Sequence, residues 1–242
     1  MKNGTQSTRF HETLGSEYEL LKLTYPHYDE FENVIGREIS KKFSASELEE
    51  IKVLDIGCGT GITTKVLLDC DPRVRVVALD NEQVMLDQIK ENIATWKATD
   101  RVRIIHEDVL KYLQSNEETS FDAVASGFVL HNFKNDFREK VVSEIFRTLK
   151  PGGLFVNADK YALDDPAAHR ASYDEQVRRF DKYDEIGRGD YKQEWIEHFK
   201  IDDRPDTVYV EGVGKRFMEK VGFKNVHTVY RHLMEAVIKG EK

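Results

Sequence analysis

Residues 51–64 read Ile-Lys-Val-Leu-Asp-Ile-Gly-Cys-Gly-Thr-Gly-Ile-Thr-Thr, and few folds accommodate such a run. An apolar stretch, interrupted only by Lys52 and Asp55, meets three glycines at alternate positions, Gly57, Gly59 and Gly61. A helical pattern follows through Val66, Leu67 and Leu68. A strand buried on both faces of a parallel sheet reads as nearly continuous apolar sequence. Glycine permits the sharp turn and lets a ligand approach the backbone. The helix that follows presents free N–H groups to an anionic or polar ligand. The stretch therefore predicts strand, glycine turn and helix, with a ligand site at the turn. The spacing argues against a dinucleotide: G-x-G-x-x-G counted from Gly57 needs glycine at 62, and the chain has Ile62.

The alternation continues downstream. Strands are expected over 73–80, 101–105, 121–126 and 154–158. Asp80 ends the second strand, 23 residues after Gly57, where a carboxylate can accept hydrogen bonds from both ribose hydroxyls of a nucleoside. Asn81 is expected to cap a helix carrying Val84, Met85, Ile89 and Ile93 on one face. A helix over 136–149 is expected to stop at Lys150-Pro151-Gly152-Gly153. Before the sheet, helices are expected over 10–23 and 28–43, the second with Phe31, Val34, Ile35 and Ile39 at helical spacing. Residues 159–206 break the alternation with interleaved charges and aromatics and predict two or three helices forming a cap beside the cleft. A helix over 206–221, a strand over 225–230 and an antiparallel return over 233–238 close the chain. The fold class is α/β: a doubly wound, Rossmann-like, seven-stranded, mostly parallel sheet with an antiparallel last strand. The organisation is an N-terminal helical lid, 1–45, and a ligand-binding domain, 46–242, with the cap inserted at 160–206. Such sheets bind ligands at the C-terminal strand ends where strand order reverses. The glycine turn, Asp80, Asp108 and Gly127 all fall at such ends.

With Asp55 preceding it, the turn resembles motif I of the class I S-adenosylmethionine (SAM)-dependent methyltransferases, (E/D)-x-G-x-G-x-G, and Leu149-Lys150-Pro151-Gly152-Gly153 resembles a second hallmark of that family. The resemblance implies S-adenosyl-L-methionine as cofactor, S-adenosyl-L-homocysteine (SAH) as product, and Asp108 as partner of the adenine amino group. From about residue 20 the chain is similar to the carboxy-S-adenosylmethionine synthase branch. The residues that carry this likeness are Tyr28, Gly57-Cys58-Gly59, Asp80-Asn81 and Asp108-Val109. It implies cofactor contacts from these residues, with Tyr28 at the methionine end, and suggests a homodimer. Two departures favour ordinary SAM over the carboxylated form. Gly127 or a neighbour stands where that branch has Asn, and Lys200 or Ile201, with Arg204 nearby, stands where it has a carboxylate-pairing Arg. Arg supplies a fixed bidentate partner for a carboxylate and Lys does not.

Methyl transfer from a sulfonium is chiefly a matter of holding nucleophile, methyl and sulfur in line. A general base is needed only when the nucleophile starts protonated. His131, in the loop after the fourth strand, is the first candidate and is expected to face the methyl. Tyr25, His27 and Tyr28 follow. The eight histidines show no metal-binding spacing, so no metal is expected. Cys58 reads as a small turn residue, although the helix N-terminus could lower its pKa. The cap aromatics read as core before they read as a cage for a cationic substrate.

A net charge of −8 over 242 residues argues against nucleic acid, whose partners usually show a basic face. The acceptor is therefore expected to be a small molecule. The first residues lack the apolar core of a signal peptide, and no run approaches the ~18 apolar residues of a membrane span. A cytoplasmic protein is the expectation. The competing readings are a carboxy-SAM synthase or a tRNA-modification enzyme of that branch, and a non-catalytic SAM-binding regulatory partner.

Overall fold

The computed structural model describes residues 18–242, so most of the helix expected over 10–23 lies outside the described residues. Its last part, Tyr18–Leu23, is a 3-10 helix rather than an α-helix, the short form common where a chain is about to turn. Helix α1, Tyr28–Phe43, has the bounds its periodicity predicts. It is followed by β1 (Ile51–Ile56), α2 (Ile62–Cys70), β2 (Val74–Asp80) and α3 (Gln83–Thr95). Next come β3 (Val102–His106), α4 (Val109–Ser115), β4 (Phe121–Gly127), α5 (Asn135–Thr148) and β5 (Leu149–Lys160). The cap is α6 (Pro166–Arg179), α7 (Asp181–Glu185) and α8 (Gly189–Asp202), and α9 (Glu211–Val221), β6 (Lys224–His232) and β7 (Glu235–Glu241) complete the fold.

The seven strands lie in the order β3-β2-β1-β4-β5-β7-β6, with β7 antiparallel to both neighbours. The period-2 alternation of a strand sorts its side chains between two layers. Val53, Val76, Ala78, Ala123, Ala125 and Val156 face α1, α2 and the cap. Leu54, Ile56, Val77, Leu79, Val124 and Phe155 face the layer that holds α5 and α9. The apolar run before the glycine turn follows from that double cover. The cap aromatics Phe180, Tyr183, Tyr191 and Phe199 are fully buried and form core, not an open cage.

The chain reverses direction across the sheet between β1 and β4. Ile56 is in register with Leu79 on one side and Ser126 on the other. The C-terminal ends of these three strands are therefore level, and the glycine turn sits at the switch point.

Three local expectations need correction. Asn81 caps no helix: α3 starts at Gln83 after an extended Glu82, because Asp80 Oδ1 accepts the Glu82 amide at 2.9 Å and holds the intervening residue out of the helix. Lys150-Pro151-Gly152-Gly153 ends α5 but also belongs to β5. Gly152 N–H and Gly153 C=O pair with the backbone of Lys242, which extends the strand over the turn residues. The last helix begins at Glu211, not 206. Residues 203–207 turn, 208–210 run extended, and Ala162 exchanges backbone hydrogen bonds with Tyr209 and Glu211. Helix α4, after Asp108, is a further element that the spacing did not announce.

Candidate functional site

A cleft of about 1140 Å³, open solvent at its mouth included, runs along the C-terminal edge of β3, β2, β1 and β4. Its floor is the glycine turn. Gly57 adopts φ +64°, and a Cβ there would stand 2.4 Å from Val129 Cγ2. Both conformation and space therefore require glycine. Gly59 and Thr60 line the cleft. Gly61 does not. It turns at φ +99° into α2, and a Cβ there would press on Ile89 at 2.8 Å and Trp96 at 3.0 Å. Its task is to let the turn pack on α3.

Cys58 lines the cleft with its thiol buried. Burial pushes that thiol well above its ordinary pKa, and the nearby Asp55 and Asp80 push the same way. The helix N-terminus does not win, so this cysteine is no thiolate nucleophile.

Asp80 closes β2 at the cleft wall. Its Oδ2 accepts the Gly59 amide at 2.8 Å and its Oδ1 the Glu82 amide at 2.9 Å. Burial raises its pKa above the ordinary value, against the pull of these amides. Asn81 lines the cleft beside it. Asp108 and Val109 line the far end. Asp108 also caps α4, Oδ1 accepting the Lys111 amide at 3.0 Å.

On the β4 side the wall is Gly127, Phe128 and Val129, with Tyr28 from α1. Phe128 holds φ +55°, an uncommon state for a residue other than glycine. Its ring stacks on Tyr28 (centroids 5.8 Å, planes 13° apart) and meets Tyr25 edge-on at 5.6 Å. His27, the other lid candidate, is exposed and pairs with the His232 ring at 4.4 Å.

His131, expected to face the methyl, does not line this cleft. It is buried and borders a separate small pocket beneath the cap, about 280 Å³ with open solvent included, with Lys160, Tyr173, Phe199, Asp202 and Tyr209. Its Nδ1 lies 2.5 Å from Asp159 Oδ1, and its amide donates to Asp159 Oδ2 at 3.1 Å. A carboxylate only accepts, so Nδ1 carries the proton and Nε2 points at Asp202 Oδ2, 3.8 Å away. Among the described residues, His131, His198 and Asp202 bring ligand-type atoms within 4.8 Å of one another. His198 and Asp202 stand four apart on α8, a local spacing that was legible, but His131 joins them from 67 residues away and no local pattern shows that. The Lys160 ammonium already pairs with Asp202. Burial alone would raise Asp202, but Lys160, His198 and His131 outweigh it and hold the carboxyl at about 2.

The sequence reading missed Glu32. This acid is on the cleft wall and only 2% exposed. It accepts the Thr63 hydroxyl at 3.0 Å. Burial, first of all, pushes its pKa up to about 7, with Thr63 pulling down and Asp159 pushing up. The available signal was position: 28, 32, 35 and 39 form one helical stripe, and an acid on the stripe of Tyr28, Ile35 and Ile39 faces inward.

Comparison with known proteins agrees with this geometry. Residues 53–153 match the family model described as a methyltransferase domain. A demethylmenaquinone methyltransferase of Leptospira interrogans is 34% identical over 136 residues, 56% of this chain and 52% of that protein. The chain thus spans about half the length of that curated relative. A carboxy-S-adenosyl-L-methionine synthase of Psychromonas ingrahamii is 23% identical over 88% of this chain and 84% of its own length. A solved structure from Methanococcus maripaludis, assigned to the S-adenosyl-L-methionine-dependent methyltransferases, superposes with a TM-score of 0.61 at 20% identity. That match covers 100% of this chain and 97% of the other.

Proposed function

We propose that this chain, which carries the class I SAM-dependent methyltransferase fold and domain, binds S-adenosyl-L-methionine in the β1–β4 cleft and methylates a small-molecule acceptor, releasing S-adenosyl-L-homocysteine. The observation that carries the reading is the placement of Asp80. Its carboxylate stands in the cleft wall, fixed by two backbone amides, one of them from the glycine turn itself.

Each carboxylate oxygen has lone pairs beyond the one taken by its amide, so Asp80 can accept the two ribose hydroxyls. Asp108 and Val109 would hold the adenine, Asp108 by the oxygen that does not cap α4. Gly57, Cys58 and Gly59 bring backbone to the ligand, Gly61 shapes the turn, and Asn81 flanks the ribose. Gly127 and Tyr28 face the methionine end. The N-terminal segment 1–45, of which residues 1–17 lie outside the described residues, acts as a lid on the domain 46–242, whose cap closes over the acceptor.

The cofactor supplies an activated methyl on a good leaving group. The chain's own work is to align the acceptor and exclude water, which is a proximity effect. The stacked Tyr28 and Phe128 rings are the apolar screen for that purpose. A base role for His131 requires the acceptor to reach Nε2 beneath the cap. Tyr28 is the base candidate within the cleft itself. The same reading places the protein in the cytoplasm as a homodimer without nucleic-acid or membrane partners. Among the described residues no helix is long and apolar enough to cross a membrane.

The likeness to the carboxy-SAM synthase over most of the chain supports a second reading with that cofactor. The cleft favours the first. Its described lining includes no arginine or lysine. Lys200 pairs with Glu197 on the outer side of α8, and Arg204 is exposed beyond that helix. An added carboxylate would lack its fixed cation.

Mass spectrometry of the ligand that co-purifies, followed by titration with SAM, SAH and NADH, tests the assignment. SAM or SAH is the expected ligand. Recovery of carboxy-SAM supports the second reading, and binding of NADH alone overturns both. A methyl-transfer screen over N, O, S and C acceptors then separates an enzyme from a SAM-binding regulatory partner.

A further inference from the structure

Glu32 is the acid that the proposed chemistry leaves without a task. It projects from the middle of α1 into the cleft wall, where its one side-chain hydrogen bond comes from the Thr63 hydroxyl. No lysine or arginine of the described chain makes an ion pair with it. Three further acids surround it: Asp159 on β5, Asp29 on its own helix and Asp55 on β1. Lys22, on the 3-10 turn, is the one cation whose field reaches it among the described residues. A buried carboxylate without a cation is costly, so the site invites one.

The fold also reserves space for this carboxylate. Gly127 does not occupy the left-handed region, so its missing side chain is not a backbone requirement. A Cβ there would stand 2.9 and 3.1 Å from the two Glu32 oxygens and 2.4 Å from Thr63 Oγ1. The glycine at the end of β4 is what lets Glu32 reach the cleft. Along the strand order β3-β2-β1-β4, Asp108 and Asp80 take one end of the cleft and Glu32 the other. A nucleoside held at the first end leaves its amino-acid tail at the second.

We propose that Glu32 is the receptor for the α-ammonium group of the bound cofactor, so that the cleft selects a cationic tail and disfavours analogues that lose the amine or gain a carboxylate. The inference rests on the SAM reading above. It extends that reading with a recognition residue supplied by the N-terminal helix. Ion pairing favours the charged carboxylate, so binding expels the proton that burial keeps on Glu32 near neutral pH.

Calorimetric titration of the full chain with SAH, its deamino analogue and 5′-methylthioadenosine tests this, in wild type and in Glu32→Gln. Glutamine keeps an acceptor for Thr63 and removes the charge. Hydrogen bonds to charged groups, converted to affinity, predict a loss of roughly 10- to 100-fold for SAH in the variant. Methylthioadenosine, which lacks the tail, should bind both proteins within about twofold. Wild type at pH 6.5 should release a proton on binding SAH, shown by a dependence of the heat on buffer ionisation, and the variant should not. Equal SAH affinity in the two proteins overturns the inference, as does a parallel loss for SAH and methylthioadenosine. Should the variant not fold, wild type alone decides, because equal binding of SAH and its deamino analogue also overturns it. Wild type that binds neither SAH nor methylthioadenosine overturns the cofactor reading itself.

Discussion

The Gly59 amide donates to Asp80 Oδ2 at 2.8 Å, so the turn after β1 is tied to the end of β2 across the floor of the cleft. The other Asp80 oxygen accepts the Glu82 amide. One side chain therefore shapes both loops that would enclose the nucleoside. Asp80→Ala removes the ribose acceptor and leaves two amides without their partner. The expected result is at least a tenfold loss of SAH affinity, with a stability loss of about 1–3 kcal/mol. Asp80→Asn keeps one acceptor and should fall between. Titration and urea unfolding read the two effects separately, and unchanged SAH affinity in Asp80→Ala would remove the site from the cleft.

Gly57 meets two independent demands. An alanine there takes a left-handed φ, which costs roughly 1–2 kcal/mol, and its Cβ overlaps Val129 Cγ2 at 2.4 Å. Gly57→Ala should therefore lower stability by more than about 2 kcal/mol. Adding Val129→Ala removes the overlap but not the φ cost, so the double variant should recover only part of the loss. Scanning calorimetry of the three proteins decides it. Full recovery would show that the conformation is unstrained.

The sheet was legible because its signals are local. The β1 run, the turn glycines and Asp80 each announce themselves within a few residues, and the strand ends then converge by topology. Asn81 misled because a capping residue type adjoined a strand end, and the structure gives the Glu82 amide to Asp80 instead. Glu32 was hidden by its charge: an acid in an amphipathic helix reads as solvent-facing unless its stripe is tracked from Tyr28. His131 was legible as a residue of the post-β4 loop, but its surroundings were not. What aims it is Asp159, 28 residues on, and what it points toward is Asp202 on the cap. Such long-range pairings leave no periodicity to read.

His131 therefore carries a clear stability expectation. It is buried between two carboxylates, and its Nδ1 pairs with an Asp159 that has no exposed surface. Removing the Nδ1 donor leaves the buried Asp159 carboxylate short of a hydrogen bond, which costs about 1–3 kcal/mol. His131→Gln should approach that loss in urea unfolding. SAH affinity should stay within about twofold of wild type, since the imidazole does not line the cofactor cleft. A large loss of SAH affinity with unchanged stability would return His131 to the cleft.

Asp55 governs the pH dependence of the fold. It has no exposed surface, Thr64 donates to its Oδ2 at 2.5 Å, and its Oδ1 has no hydrogen-bond partner. Burial pushes its pKa up to about 8, against the pull of Thr64 and with a push from Glu32 and Asp80. Glu32 and Glu235 are likewise raised by burial to about 7. An unfolded chain loses these protons near pH 4. Between about pH 4 and 8 the folded state therefore binds more protons than the unfolded state, and stability falls as pH rises. The contribution is complete below pH 4 and lost as pH passes through 7 to 8. Asp202 acts in the opposite direction: held at about 2, its contribution is present above pH 4 and lost between about 4 and 2. The fold should thus be most stable at weakly acidic pH. Asp55→Asn deletes the largest alkaline liability, so its unfolding midpoint in urea should gain on wild type steadily from pH 5 to pH 8.5. Parallel curves for the two proteins would mean that Asp55 is already ionised in the folded state at pH 5.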